Sequence, residues 1–181
     1  MAGILKVDKY QDFNGNDIMT SDGSGNITLS TAMNTAVASG TNNTPAFDAV
    51  KSGNQTLTNA TDTKITFETE VVDTDSAFSS SRFTVPSGKG GKYFVYAAVG
   101  FATNGTNLRQ VYLIKNGSEF RRLSNLQGGS GSGVNTYNSA GVIVSLADGD
   151  YVEIYAYQNS GGSLDALSSI CYFGGYKIIG A

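Results

Sequence analysis

The sequence predicts an all-β protein, and three observations carry that expectation. Gly is abundant (23 residues) and Pro scarce (2) in a chain otherwise rich in Ser, Thr and Asn, a mixture that suits short strands joined by turns. No stretch sustains a helical, roughly 3.6-residue apolar period built from good helix formers. Residues 151–158, launched from the tight turn Asp148-Gly149-Asp150, alternate strictly. Val152, Ile154 and Ala156 point one way, and Tyr151, Glu153, Tyr155 and Tyr157 the other.

Taken in chain order, residues 1–30 hold three short apolar runs, at 4–7, 17–19 and 26–29, which read as strands. Asn14-Gly15-Asn16 and Asp22-Gly23-Ser24-Gly25-Asn26 separate them as strong turn signals. Three such strands can hardly bury a core, so they are expected to pack on another protein or on copies of themselves. Residues 31–44 are small and polar without a period, and read as a linker or extended arm. A head domain is expected over 45–181, with strands at 46–51, 64–67, 82–85, 92–102, 108–115, 119–123, 137–146, 151–158 and 170–179. Asn116-Gly117 is the sharpest hairpin signal among its turns. About eight to ten strands in roughly 135 residues argue for a two-sheet sandwich or jelly roll.

Composition excludes several classes of function. A net charge of −3 and a pI near 4.8 disfavour nucleic acid and anionic membranes, which need clustered Lys and Arg. The one basic cluster, Arg121-Arg122 with Arg109 and Lys115 nearby, reads as a solvated strand end. The absence of His removes the commonest general base and metal ligand, and a single Cys removes intrachain disulfides and thiolate zinc sites. Cys171, in an apolar run, is expected to pack as a small hydrophobe. The first ten residues lack an apolar signal-peptide core and no long apolar span follows, so neither secretion nor a transmembrane helix is expected.

Catalytic and cofactor patterns are equally absent. Glu68-Thr69-Glu70-Val71-Val72-Asp73-Thr74-Asp75 is the densest acidic stretch, but Glu68 and Glu70 share one face of an extended segment with no gap for a substrate. It reads as a solvated loop that discourages edge pairing. Asp22-Gly23-Ser24-Gly25 lacks the carboxylates of an EF-hand loop, and Gly88-Lys89-Gly90-Gly91-Lys92 lacks P-loop spacing. Ser87 near Lys89 is the only crude Ser–Lys pair. The expectation is a protein that is not an enzyme and has no metal or cofactor.

An ordered series of landmarks over 45–181 resembles the C1q/TNF-like jelly-roll superfamily. Pro45-Ala46-Phe47-Asp48-Ala49-Val50 looks like its first strand, and Phe83-Thr84-Val85-Pro86-Ser87-Gly88 like the block before its long third strand. Gly91-Lys92-Tyr93-Phe94-Val95-Tyr96-Ala97, Lys115-Asn116-Gly117, Leu146 with Gly149-Asp150, and Phe173-Gly174-Gly175-Tyr176 follow in the family's order. The resemblance implies a homotrimer whose inner-sheet aromatics pack between protomers, with Tyr155, Tyr157 and Phe173 as the expected contact. Glu153, on the same face, would need an Arg or Lys partner if buried.

Residues 1–30 resemble the N-terminal attachment segment of many bacteriophage virion proteins, carried by Ile4-Leu5-Lys6-Val7-Asp8, Gly15-Asn16-Asp17-Ile18 and Gly25-Asn26-Ile27-Thr28-Leu29. Ile4, Leu5, Val7, Ile18, Ile27 and Leu29 are therefore the expected attachment residues. The combination implies a virion structural protein made in the bacterial cytoplasm: a trimeric capsid decoration (cement) protein bound to the major capsid protein or another virion protein. The alternative is a head or tail fibre tip that binds a host-surface glycan or protein receptor.

Overall fold

A computed structural model describes residues 7–34, 43–129 and 133–179. The chain divides between Asn42 and Asn43 into two compact units.

The first unit is an antiparallel meander of β1 (Lys9–Gln11), β2 (Asp17–Ser21) and β3 (Ile27–Leu29). One turn design is used twice. Asp12 Oδ1 accepts the N–H groups of Asn14 and Asn16, both at 2.9 Å, and its Oδ2 accepts Asn16 Nδ2. Asp22 does the same for Ser24, Asn26 and Asn26 Nδ2. Gly15 and Gly25 supply the left-handed φ (+82° and +93°) that lets the chain reverse before each Asn. The first described strand lies at Lys9–Gln11, after Val7, and the rest of the expected 4–7 strand, Ile4 and Leu5 included, lies outside the described residues. Residues 31–34 form a helical turn, not extended arm, because Ser30 Oγ caps the Met33 N–H at 3.2 Å. Residues 35–42 lie outside the described residues.

The second unit is a sandwich of two antiparallel sheets. Its strands are β4 (Ala46–Val50), β5 (Gln55–Leu57), β6 (Thr63–Lys64), β7 (Thr69–Asp73), β8 (Phe78–Ser79), β9 (Arg82–Thr84), β10 (Gly91–Phe101), β11 (Leu108–Lys115), β12 (Ser118–Gln127), β13 (Thr136–Leu146), β14 (Tyr151–Gln158), β15 (Leu164–Ala166) and β16 (Tyr172–Lys177). The first sheet runs β5-β15-β10-β16-β4-β7, with β13 also paired along β10; the second runs β12-β11-β14-β9-β8, with β6 on β14. The acidic stretch at 68–75 is not a loop: its middle is β7, at the edge of the first sheet.

Alternation built these strands. Tyr93, Val95, Ala97, Val99 and Phe101 of β10 face Val152, Ile154 and Ala156 of β14 in a continuous buried core. At its centre Phe47 stacks on Phe83 (4.4 Å between centroids) and meets Phe173 edge-on (4.9 Å), and Cys171 packs in the same core. Asn116 and Gly117 both take positive φ (49° and 81°), the two-residue hairpin turn their sequence signalled.

Arg109 corrects an expectation: it is wholly buried, not at a solvated strand end. Its Nη1 donates to the carbonyls of Thr106 and Leu108 (3.0 and 2.9 Å) and Nη2 to that of Asn104 (2.7 Å). One cation thus ties the turn at 104–106 to the start of β11, and burial pushes its pKa below the usual guanidinium value.

Candidate functional site

The outward face of the first sheet is the larger aromatic surface. Register places Ile143, Phe94 and Tyr176 in one row, Gly141, Tyr96, Gly174 and Asp48 in the next, and Ser139, Ala98, Tyr172 and Val50 in a third. Two glycines flatten it. A Cβ on Gly141 would run into the Phe94 ring, and one on Gly174 into the Tyr96 ring. The rings therefore lie down on the sheet, with centroids of Phe94–Tyr176, Phe94–Tyr96 and Tyr96–Tyr172 separated by 5.8, 6.1 and 6.1 Å. Tyr96 donates its hydroxyl to Asp48 Oδ1 at 3.1 Å, and burial followed by the Asp48 charge pushes its pKa up to about 12. Ile143 and Tyr137 are 58% and 54% exposed, and Tyr172 and Tyr176 38% each, so this apolar face meets solvent in an isolated protomer.

The outward face of the second sheet carries the tyrosines of β14 together with Tyr112. Glu153 among them is buried, and its Oε1 accepts from Lys64 Nζ (2.6 Å) and Arg82 Nε (2.8 Å). This is the cationic partnership its position demanded. Burial works to raise the Glu153 pKa, but the bonds from Lys64 and Arg82 outweigh it and hold the carboxyl below the usual range. The Arg82 guanidinium also lies 3.9 Å above the Tyr151 ring centroid, and that of Arg122 4.9 Å above Tyr112. Much of this face is thus covered by the protomer's own cations.

Tyr155, Tyr157 and Phe173 do not form the common contact surface expected of them. The two tyrosines face outward from the second sheet, half-buried, whereas Phe173 sits on β16 of the first sheet and points into the core. With 0% of its surface exposed, Phe173 has nothing to offer a neighbour. Its flanking residues Tyr172 and Tyr176, one step out of phase, hold the outward positions. Phe94, Tyr96, Tyr172 and Tyr176 were not singled out from the sequence, although Gly174 between two tyrosines was the available signal.

In the meander, no residue from 7 to 34 is buried. Val7 and Ile27 are exposed and Ile18 and Leu29 half-buried, and a cavity of about 250 Å³ opens between Val7, Tyr10, Met19 and Ile27.

Features resembling catalytic or anion sites are filled by the chain itself. Asp148 accepts the N–H groups of Gly88 (2.6 Å) and Gly90 (2.7 Å), so a carboxylate occupies the glycine-rich turn. Glu68 is engaged by Lys51, Thr66 and Ser52. Asp12 and Asp22 spend their oxygens on their own turns. Among the described residues no group of three or more His, Cys, Asp or Glu could hold a metal ion.

No family model matches the chain, and no curated protein sequence matches it either. Solved structures do. The globular domain of zebrafish complement 1qA protein aligns with a TM-score of 0.50 and 18% identity, over 74% of this chain and 97% of that one. Murine APRIL aligns with a TM-score of 0.52 and 12% identity over 74% and 98%, and the Eiger TNF of S. frugiperda with 0.51 and 15% over 75% and 93%. At these identities the likeness is one of fold: the sandwich of the second unit has a C1q/TNF-like jelly-roll fold.

Proposed function

We propose that this protein is a non-enzymatic structural protein of a tailed bacteriophage virion: a homotrimeric capsid decoration (cement) protein displayed on the particle surface after synthesis in the host cytoplasm. Its jelly-roll heads associate through the outward face of the first sheet, and its N-terminal meander docks on the major capsid protein or another virion protein. The observation that carries the reading is the aromatic face of Phe94, Tyr96, Tyr172 and Tyr176, flattened by Gly141 and Gly174 and left open in one protomer. Each such side chain covered contributes about 1.5–3 kcal/mol, and a threefold assembly repeats every contact. A trimer of this kind also accords with the resemblance to C1q/TNF-like heads. The meander supports the attachment role because a sheet that buries none of its described residues lacks a core of its own.

The test is mass photometry of the full chain together with immunogold labelling of purified particles. The expected results are a mass of three chains and label on the capsid surface. A monomer at micromolar concentration overturns the assembly, and particles without label overturn the location.

A further inference from the structure

Between β11, β14 and the segment entering β6, the outward face of the second sheet sinks into a cavity of about 280 Å³ lined by Asp62, Tyr112, Ile114, Gly117, Glu119 and Tyr155. The assembly proposed above does not use it, and every residue that forms it belongs to one protomer. Tyr112 and Tyr155 are direct cross-strand partners, so both side chains stand on the same outward face and line the cavity. Gly117, held in its left-handed turn (φ +81°), lines the cavity without a side chain. The rim carries two carboxylates in different states. Glu119 lies 3.6 Å from the guanidinium of Arg122, which itself stands over the Tyr112 ring. Asp62 forms no hydrogen bond or ion pair among the described residues, and neither does the Tyr155 hydroxyl.

We infer that this cavity is a saccharide-binding site in which Tyr155 stacks on the apolar face of one pyranose ring and Asp62 and Glu119 accept hydrogen bonds from its hydroxyls. A sugar ring needs a flat apolar floor and a rim holding both acceptors and donors. Here the floor is Tyr155, the acceptors are Asp62 and Glu119, and the donor is the Tyr155 hydroxyl, with the Arg122 guanidinium beside Glu119. A cationic ligand fits less well, because Arg122 already occupies the cation position over Tyr112 and beside Glu119. The volume lies just below the roughly 300–1,000 Å³ of enclosed small-molecule pockets, which suits one residue of a longer glycan. Single-site affinity is then weak, and repetition of the site in an oligomer or on a particle raises the avidity.

The experiment uses the full-length protein on an immobilised array of hexose- and N-acetylhexosamine-containing glycans, followed by saturation-transfer NMR with the soluble form of the strongest hit. The expected result is binding with saturation of the ring C–H protons, weakened about tenfold in Asp62→Asn through loss of a charge-assisted hydrogen bond. Tyr155→Ala abolishes it; because that change removes packed surface, the exposed Asp62→Asn variant decides if Tyr155→Ala fails to fold. No binding to any arrayed glycan overturns the inference, as does glycan binding unchanged in Asp62→Asn. Asp62-dependent binding of a polylysine probe without glycan binding also overturns it, in favour of a cationic ligand. Mass photometry of the same samples reports the oligomer separately, so loss of the trimer and loss of glycan binding are read independently.

Discussion

The Tyr96 ring fills the space in which any side chain on Gly174 would have to stand. The two residues are cross-strand partners, Tyr96 on β10 and Gly174 on β16, so the glycine forms the seat on which the ring lies flat. Gly174→Ala is expected to tilt Tyr96 off the sheet, at a cost of about 1–3 kcal/mol for overpacking. Denaturant unfolding checks the stability. Mass photometry at falling concentration checks that the proposed trimer dissociates earlier than in the unaltered protein.

Phe173 and its neighbour Tyr172 are expected to separate stability from assembly. Phe173→Ala opens a cavity among Phe47, Phe67 and Phe78 and should destabilise the head by about 3–5 kcal/mol. A Tyr172→Ser/Tyr176→Ser double variant removes only outward-facing rings. It should shift the mass towards one chain, while the unfolding of the resulting monomer still follows a single cooperative transition. A double variant that keeps its full mass would place the subunit contact elsewhere.

Arg109→Met keeps the bulk of the side chain but removes its three hydrogen bonds to the Asn104, Thr106 and Leu108 carbonyls. Hydrogen bonds to a charged group are worth about 1.5–3 kcal/mol each, partly offset here by relief from burying the charge, so a net loss of about 2–4 kcal/mol is expected. Amide exchange should quicken first across residues 102–108. Uniform quickening over the whole sandwich would show that Arg109 supports the core and not the loop.

Glu68 gives a pH signature. Burial works to raise its pKa, but the bonds from Thr66, Ser52 and Lys51 prevail and hold it at about 2, below the ordinary 4.5. A depressed carboxyl pKa contributes stability above the unfolded value, and that contribution is lost as pH falls through the folded one. Glu68→Gln is therefore expected to be less stable than the unaltered protein at pH 7, with the difference closing between about pH 4.5 and pH 2. Because the Glu68 side chain is 42% exposed, the gap should be modest and should shrink in high salt. Melting temperatures across that range, with and without salt, supply the check.

The sequence showed most clearly those strands whose two faces differ in chemistry. β11 and β14 begin and end where alternation places them, β13 starts one residue early, and β10 is displaced by one residue at both ends. β5, β8 and β15 were not anticipated because two or three residues cannot display a period. β7 was hidden by its charge, since an edge strand with one solvated side reads like a loop. The site was legible only in part. Alternation showed that β14 has a second aromatic face, but it cannot tell which of two sheets keeps such a face open. Lys64 and Arg82 reach Glu153 from 89 and 71 residues away in sequence, and no local pattern foretells that cover. The phase of β16 was misjudged at Phe173, where Gly174 and Gly175 leave no side chains to count.

The place of β16 also governs when the head can fold. It lies between β10 and β4, joining residues 172–177 to 93–98 on one side and to 46–50 on the other. Until this segment has left the ribosome, β10 and β4 each present an unsatisfied edge, and Phe47 lacks the ring it meets edge-on. Closure depends on contacts far apart in sequence, the kind that form slowly and leave edges open to other chains in the meantime. The meander needs no such wait, since each of its Asp-x-x-Gly-Asn turns is complete within five residues. Newly made chains would thus fold in two stages, a quick local one at the front and a late, all-at-once one behind it. Crowded polysomes, where unfinished heads sit side by side, are where strand exchange between copies is most to be expected.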